Sequence, residues 1–375
     1  MIIKGGKVLN DEFAFMDADI LVREDKIEKI GKLDGEEIID ASGCLVVPGF
    51  VDTHMHAAVG KGFIDFEEDT YEKITEFEAQ NGTTALVPAI SAAPKNKLIS
   101  CIEYMKVCTQ KEQNGCAKIY GIHLEGPFFS EKYKGAHSPE NIRDTDVKEF
   151  EEYLDIAAGC IKIITLAPEL PNADAVIRKA VEAGVCVSIG HTAATYEEVL
   201  HAVKIGATQA THLFNAMSPL NHRSPGTAGG ILFSDVKAEL ICDFFHVHKD
   251  VVKMVYDLKG ADNINMITDS VQGAGFPDGE YITNGKKIIV KDRKTYTEDG
   301  TISGGTTCLI DGVRNLVSIG ISLEDACKMA SKNPALTVGI YDITGSIAEG
   351  KMADIVILDK NLNIKNVIVR GKPLK

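Results

Sequence analysis

Apolar and polar positions follow two rhythms along this chain. At the N-terminal end, KGGKVLN, DADILVREDKIEKIG and GEEIIDASGCLVV alternate apolar with polar residues and are punctuated by Gly and Asp, the pattern of short strands joined by tight turns. The C-terminal stretch GSIAEGKMADIVILDKNLNIKNVIVRGKPLK has the same texture. Two such segments flanking a different middle predict one small β-domain assembled from both ends, residues 1–47 and 345–375.

Between them the rhythm becomes strand, helix, strand, helix. Eight apolar runs read as strands: Val46 to Asp52, Ala85 to Pro88, Lys118 to Leu124, Ile161 to Leu166, Val185 to Gly190, Gln209 to His212, Glu239 to Asp243 and Asn265 to Thr268. The stretches TYEKITEFEAQNG, NKLISCIEYMKVCTQ, NADAVIRKAVEAG and TYEEVLHAVKIGA between them carry apolar residues at helical spacing, and several end in Gly. Eight short strands alternating with helices predict an α/β fold with a (β/α)8 TIM-like barrel over residues 48–344. A doubly wound open sheet is the rival arrangement, but no Gly-rich phosphate fingerprint follows the first strand.

At 375 residues the chain has room for a large barrel and an accessory unit. No apolar run approaches the roughly 20 residues of a membrane span. The start MIIKGGKVLN lacks the basic-then-apolar order of a signal peptide, so a cytoplasmic location is expected. Nine cysteines with no C-x-x-C pair read as reduced core residues, with neither a disulfide framework nor a thiolate zinc site. The formal charge of −14 argues against nucleic acid or an anionic membrane as partner, while leaving room for a small anionic substrate held by local groups.

The barrel expectation gains weight from where the polar residues fall. Chemistry in such barrels sits at the C-terminal ends of the strands. Here the first strand ends in Asp52, His54 and His56, the third in His123 and Glu125, the fifth in His191, the sixth in His212 and the eighth in Asp269. A lone His at a strand end is usually a hydrogen-bonded core residue; five strands ending in this way form a pattern. His54 and His56 alternate about Met55, so both side chains reach one point from an extended chain. Glu125, His191 and His212 supply two imidazoles and a carboxylate, a set that leaves zinc or ferrous iron an open position for water. Asp269 is then placed as the general base that accepts the water's proton and returns it to a leaving nitrogen. His123 is read as a buried supporting residue.

On the motifs PGFVDTHMH, GTTALVPAI, GIHLEGPF, KGAHSPE, LAPE, GHTAA, THLFNAMSPLNHRSPG, ITDS and TISGG, the chain resembles the amidohydrolase superfamily and, within it, the N-acetylglucosamine-6-phosphate deacetylases. THLFNAM together with HLEGP is far more specific than H-x-H alone, and the resemblance spans nearly the whole chain. It implies a (β/α)8 barrel with a small β-sandwich built from both termini, one or two divalent metals per chain, zinc or iron, and hydrolysis of an acetamide to an amine and acetate. By this resemblance Glu125, His191 and His212 are the main metal ligands and Asp269 the acid/base. Ala136 and His137 match a substrate-binding pair whose histidine polarises the acetamide carbonyl. Asn215 and Ala216 match contacts to the sugar phosphate, Arg223 a phosphate ligand, and Asp243 to His246 a segment touching the sugar. Ile302, Ser303, Gly304 and Gly305 match a loop lining the acetyl end. The family's arginine reaches across a subunit interface, so a homodimer with shared sites is expected.

Two departures from the family pattern stand out. Some members lack the first-strand histidines and hold one metal; His54 and His56 are present here, which admits a second metal bridged by Glu125. In ICDFFHVH, Phe244 stands where the family usually has Gly, and a larger side chain there is expected to alter the sugar site. The alternatives are the galactosamine epimer, a cyclic amide as in dihydroorotase-like relatives, and a catalytically dead sugar-phosphate sensor. Cyclic-amide enzymes commonly carry a carboxylated lysine between two metals, whereas the bridging position here is Glu125.

Overall fold

The computed structural model describes residues 1–375 apart from 36, 68, 112, 284, 285, 299, 301 and 375. Among the described residues the middle of the chain is an α/β fold whose parallel strands curve into a half-barrel. One parallel sheet places Lys118–Ile119, Thr83–Leu86 and Phe50–Asp52 side by side; a second runs from Ala89–Ser91 through Ile122–Glu125, Ile161–Leu166, Cys186–Ile189, Gln209–Ala210 and Lys237–Ile241 to Ile264–Ile267. The third expected strand is broken in the middle and contributes to both sheets, and the second, expected over Ala85 to Pro88, ends at Leu86 and is followed by the separate strand Ala89–Ser91 in the other sheet. Helices follow these strands on the outside, including Thr70–Gln80, Lys95–Gln110, Ala173–Glu182 and Tyr196–Lys204, close to the four expected from apolar spacing.

Local chemistry starts these helices where the sequence suggests. The Thr195 hydroxyl accepts from the Glu198 amide at 3.2 Å, and Glu198 Oε2 accepts from the Thr195 amide at 2.7 Å, a reciprocal capping box at the start of Tyr196–Lys204. Asp146 caps Val147–Ala157 in the simpler way, accepting from the amides of Lys148 and Glu149. Inward faces such as Val199 and Ala202, or Val176 and Ile177, are fully buried against the strands. Among the described residues no helix is long and apolar enough to cross a membrane.

The first expected strand, Val46 to Asp52, is in fact two. Leu45–Pro48 pairs with Ile355–Leu358 and with Lys7–Leu9, whereas Phe50–Asp52 pairs with Thr83–Leu86 in the parallel sheet. The break falls at Gly49, where a Cβ would stand 2.1 Å from Thr84 Oγ1; only glycine lets the chain cross so close to its neighbour. Hydrophobicity alone could not reveal the change, because both halves are buried.

The two ends of the chain build a four-stranded sheet, ordered Lys26–Gly31, Asp19–Arg23, Ile2–Lys4 and Ile38–Asp40, and a six-stranded one that includes Ile364–Val369, Ile355–Leu358, Leu45–Pro48 and Lys7–Leu9. Side chains from both, among them Ile3, Ile20, Val46, Ile355 and Ile368, share one apolar cluster. A further antiparallel sheet was not expected from the sequence. It runs Gly279–Thr283, Lys286–Lys291, Lys294–Thr297 and Ile302–Gly305 and projects directly after Asp269. Asp292 and Arg293 turn between two of its strands with φ of 50° and 60°, the left-handed pair of a tight hairpin turn. Its last strand is stitched back: Gly305 N donates to Asp269 O at 2.9 Å, and Val271 N to Gly305 O at 3.1 Å.

Candidate metal centre and substrate cavity

Strand ends bring the metal-type side chains together. Glu125 closes Ile122–Glu125, and its Oε1 lies 3.1 Å from His191 Nε2 and 3.4 Å from His212 Nε2; the two imidazole nitrogens are 3.1 Å apart. On the other flank of the same carboxylate, His54 Nε2 is 3.4 Å from Oε1 and His56 Nε2 is 3.3 Å from Oε2. Donor atoms bound tetrahedrally at zinc–nitrogen and zinc–oxygen distances sit roughly 3.3 Å from each other, so both trios have the spacing of a coordination shell. Glu125 belongs to each of them.

The outer nitrogen of every one of these histidines is occupied. Nδ1–H of His191 donates to Tyr133 O at 3.0 Å, that of His212 to Asn215 O at 3.2 Å, that of His56 to Ala89 O at 3.1 Å, and that of His54 to Glu239 Oε2 at 2.9 Å. Fixing the proton on Nδ1 turns the Nε2 lone pair toward Glu125 in all four, the tautomer a metal ligand needs. His54 Nε2 and Glu125 Oε2 are buried without hydrogen-bond partners, a costly arrangement that a divalent cation would resolve. The residues present therefore fit a metal.

Charge gathers at the same point. Burial disfavours charge on His54, but Glu239, Glu125 and Asp269 around it prevail and hold its pKa well above the usual imidazole value, so its Nε2 carries a proton that a bound cation would displace. Burial would raise Glu125, yet His54 and His56 pull it well below the carboxylate range. Asp269 is likewise lowered against burial by His54 and His56. Burial drives His191 down to about 4, which keeps its lone pair free. His123, pushed down to about 4 by burial and by His54, has both nitrogens engaged, with Thr53 O at 3.0 Å and Thr165 Oγ1 at 2.7 Å.

Several functional side chains are held in backbone conformations that residues other than glycine seldom adopt. His191, His212, Ala216 and Asp269 have φ of 50°, 28°, 47° and 48°. Such strain gathers where the surrounding structure over-determines a site. Asp269 is pinned by its amide on His54 O at 2.9 Å and by Gly305 N on its carbonyl.

The centre opens into a cavity of about 720 Å³ lined by His56, Glu125, His191, His212 and Asp269 together with Ala136, His137, Asn215, Ala216, His246 and Gly304. His137 Nε2 lies 3.4 Å from Glu125 Oε2. Asp243 does not line the cavity; it accepts from the amides of Phe245 and His246 and from His246 Nδ1 at 2.7 Å, so it aims the histidine that does. Gly305 packs against Thr268 O, where a Cβ would come within 2.5 Å. Arg223 is exposed and off the cavity of its own chain. The side-chain positions expected of Ile302 and Ser303 lie outside the described residues.

Phe244 departs from expectation. It sits at φ 63°, the conformation that explains a family glycine, and packs against the apolar core, leaving Phe245 to face the cavity. Phe245 falls within the segment expected to touch the sugar, while sequence reasoning missed Lys97, Gln272 and, on the unexpected sheet, Lys287 and Ile288 as cavity residues. The alternating run KKIIVK was the one signal for that sheet.

Residues 45–374 match the Amidohydrolase family, and the chain belongs to it, a metal-dependent hydrolase class with which the His/Glu cluster just described is consistent. An N-acetylglucosamine-6-phosphate deacetylase of Lysinibacillus sphaericus is 34% identical, the match covering 99% of this chain and 97% of that protein. An N-acetylgalactosamine-6-phosphate deacetylase of Escherichia coli O157:H7 is 30% identical over 99% of this chain and 98% of its own. Among solved structures, a mutant N-acetyl-D-glucosamine-6-phosphate deacetylase of Mycobacterium smegmatis in complex with N-acetyl-D-glucosamine-6-phosphate superposes with a TM-score of 0.92 at 30% identity, covering 100% of this chain and 98% of that one.

Proposed function

We propose that this protein removes the acetyl group from N-acetylglucosamine 6-phosphate, giving glucosamine 6-phosphate and acetate. The observation that carries the reading is the constellation of Glu125 between two histidine pairs, with Asp269 Oδ1 at 3.3 Å from His56 Nε2 and His137 Nε2 at 3.4 Å from Glu125 Oε2, all lining one cavity. Glu125, His191 and His212 would hold one divalent cation, zinc or iron, and His54 and His56 with Glu125 a second. Bound there, the metal supplies Lewis acidity that acidifies water and polarises a carbonyl.

The chain's own groups divide the remaining work. Asp269 takes the proton of the attacking water on its carboxylate as the oxygen joins the acetyl carbon. It then passes that proton to the amine nitrogen as the C–N bond breaks; the second proton of the water leaves the new carboxyl group for the amine or solvent, so the products are acetate and the protonated amine. His137 Nε2–H donates to the acetamide oxygen while negative charge builds there. Asn215, Ala216 and His246, held by Asp243, receive the sugar phosphate, with Ala136 beside His137; the backbone of Ile302 to Gly305 borders the acetyl end.

The parallel strands are read as a single (β/α)8 barrel over 48–344. Its closure is supported by two bonds between the first and last strands, Asp269 N to His54 O at 2.9 Å and Thr268 Oγ1 to Asp52 Oδ2 at 2.6 Å. Residues 1–47 and 345–375 are read as its β-sandwich domain, supported by their shared apolar cluster. A homodimer in which Arg223 enters the partner's cavity is favoured by its exposure away from its own.

The similarity to the Escherichia coli O157:H7 protein supports a second reading, the galactosamine epimer. Acetate release from both 6-phosphorylated epimers, with metal analysis on the same sample, tests the two. Turnover of the glucosamine epimer at the higher kcat/KM is expected; release from neither ends the reading.

A further inference from the structure

Glu239 is a fully buried carboxylate at the heart of the parallel strands, and nothing in the proposed reaction uses it. Its Oε2 accepts from His54 Nδ1–H at 2.9 Å and from the His212 amide at 3.3 Å. Its Oε1 accepts from Gln209 Nε2 at 2.7 Å; Gln209 Oε1 accepts in turn from Asn265 Nδ2 at 2.6 Å. One carboxylate thus touches a ligand of each of the two metal trios. A carboxylate only accepts, so it fixes the direction of every donor around it: the amide of Gln209 cannot turn over without setting its oxygen against Glu239 and its nitrogen against Asn265.

His54, His123 and Glu239 are close enough to suggest a third metal trio. Both nitrogens of His123 are already hydrogen-bonded to Thr53 O and Thr165 Oγ1, so Glu239 has no second imidazole with which to share an ion. Its role lies in orientation.

We propose that Glu239 is a positioning residue that sets the tautomer of His54 and thereby the occupancy of the His54–His56–Glu125 metal site, while the Glu125–His191–His212 site depends on it much less. His54 is the one ligand whose outer nitrogen meets a carboxylate; those of His191 and His212 meet backbone carbonyls, and that of His56 meets Ala89 O and the Ser91 hydroxyl. With a glutamine at 239, the amide group must face either the Gln209 nitrogen, whose orientation Asn265 fixes, or the His54 ring; turned away from the Gln209 clash it faces His54, which then loses the fixed Nδ1 proton that leaves Nε2 free to ligate. The inference rests on the metal-dependent reading above, and particularly on two metals per chain.

The test is zinc titration of the whole metal-free chain against a competing chelator, comparing wild type, His54→Ala and Glu239→Gln. Wild type is expected to take up two zinc ions in two resolvable steps, of which His54→Ala removes one. Glu239→Gln should weaken that same step by about 10–100-fold, the usual effect of losing a partner behind a metal ligand, and leave the other step in place. Nitrogen-15 histidine spectra of the metal-free protein should show the fixed Nδ1 proton of His54 lost in Glu239→Gln and kept in Glu239→Asp. If Glu239→Gln does not fold, Glu239→Asp is titrated instead and should bind two ions with the His54 step moved by less than tenfold. Equal weakening of both steps, or of neither, overturns the proposal, as does a wild type that binds one ion whether or not His54 is present. A wild type that binds no metal overturns the hydrolase reading itself.

Discussion

Asp269 Oδ1 and His56 Nε2 stand 3.3 Å apart, side chains from beyond the last and first of the parallel strands meeting over Glu125. The Asp269 side chain is 18% exposed and Glu125 only 3%, so of the two carboxylates Asp269 alone has room to exchange a proton with something in the cavity. Asp269→Asn should therefore keep the fold and bind substrate in a calorimeter, while kcat falls by about 100-fold or more. Near-normal kcat would remove Asp269 from the proton path.

His137 approaches the same carboxylate, 3.4 Å from Glu125 Oε2, with its ring packed edge-on to His191. A donor aimed at a developing oxyanion acts mainly in the transition state. His137→Ala is accordingly expected to lower kcat and kcat/KM together by about 100-fold. A change confined to KM would make it a binding residue only.

Chelation should abolish turnover, and zinc, iron, cobalt or manganese should restore part of it. Changing His54 and His56 together to Ala should bring the metal content toward one ion per chain, because the 3.1–3.4 Å trio of Glu125, His191 and His212 does not include them. Full activity in a preparation shown to be metal-free would end the mechanism as drawn.

Arg223 is exposed on the loop that follows His212 and reaches nothing in its own cavity. Arg223→Ala should raise KM for the phosphorylated sugar by a factor that reflects a lost charged hydrogen bond, roughly 1.5–3 kcal/mol. The weak reaction of unphosphorylated N-acetylglucosamine should barely change. Equal losses on both substrates, or a monomer on a sizing column, would count against a shared site.

Glu78 lies buried on the first helix after Phe50–Asp52, where burial and then the neighbouring Asp52 push its pKa up to about 8. The folded state therefore holds its proton more tightly than the unfolded chain does. Stability is greatest below the unfolded value near 4.5 and falls as pH rises through 8, by about 1 kcal/mol per pH unit inside that window. Glu78→Gln keeps the neutral form at every pH, so its Tm should drop less than wild type's between pH 6 and about 9. Parallel Tm curves would show that Glu78 does not titrate in this range.

What the sequence determined by itself was periodic or covalent in origin. Alternation at i and i+2 puts His54 and His56 on one side of an extended chain, and polar residues after apolar runs put Glu125, His191, His212 and Asp269 at strand ends. Helices such as Tyr196–Lys204 carry their own start signals in Thr195 and Glu198. Only tertiary structure decided the rest, because each remaining feature depends on a partner distant in the chain. Gly49 splits one apolar run between two sheets because Thr84 crowds it. Phe244 turns into the core because its backbone is left-handed there, a conformation that residue identity does not announce. The antiparallel sheet that ends in Ile302–Gly305 contributes to the cavity wall because Gly305 hydrogen-bonds to Asp269 and Val271. Glu239 reads as one more apolar-strand acid until folding sets it 2.9 Å from a histidine 185 positions earlier. Separation along the chain hides such pairs, and a buried carboxylate is tolerated only where the folded structure brings the donors that satisfy it.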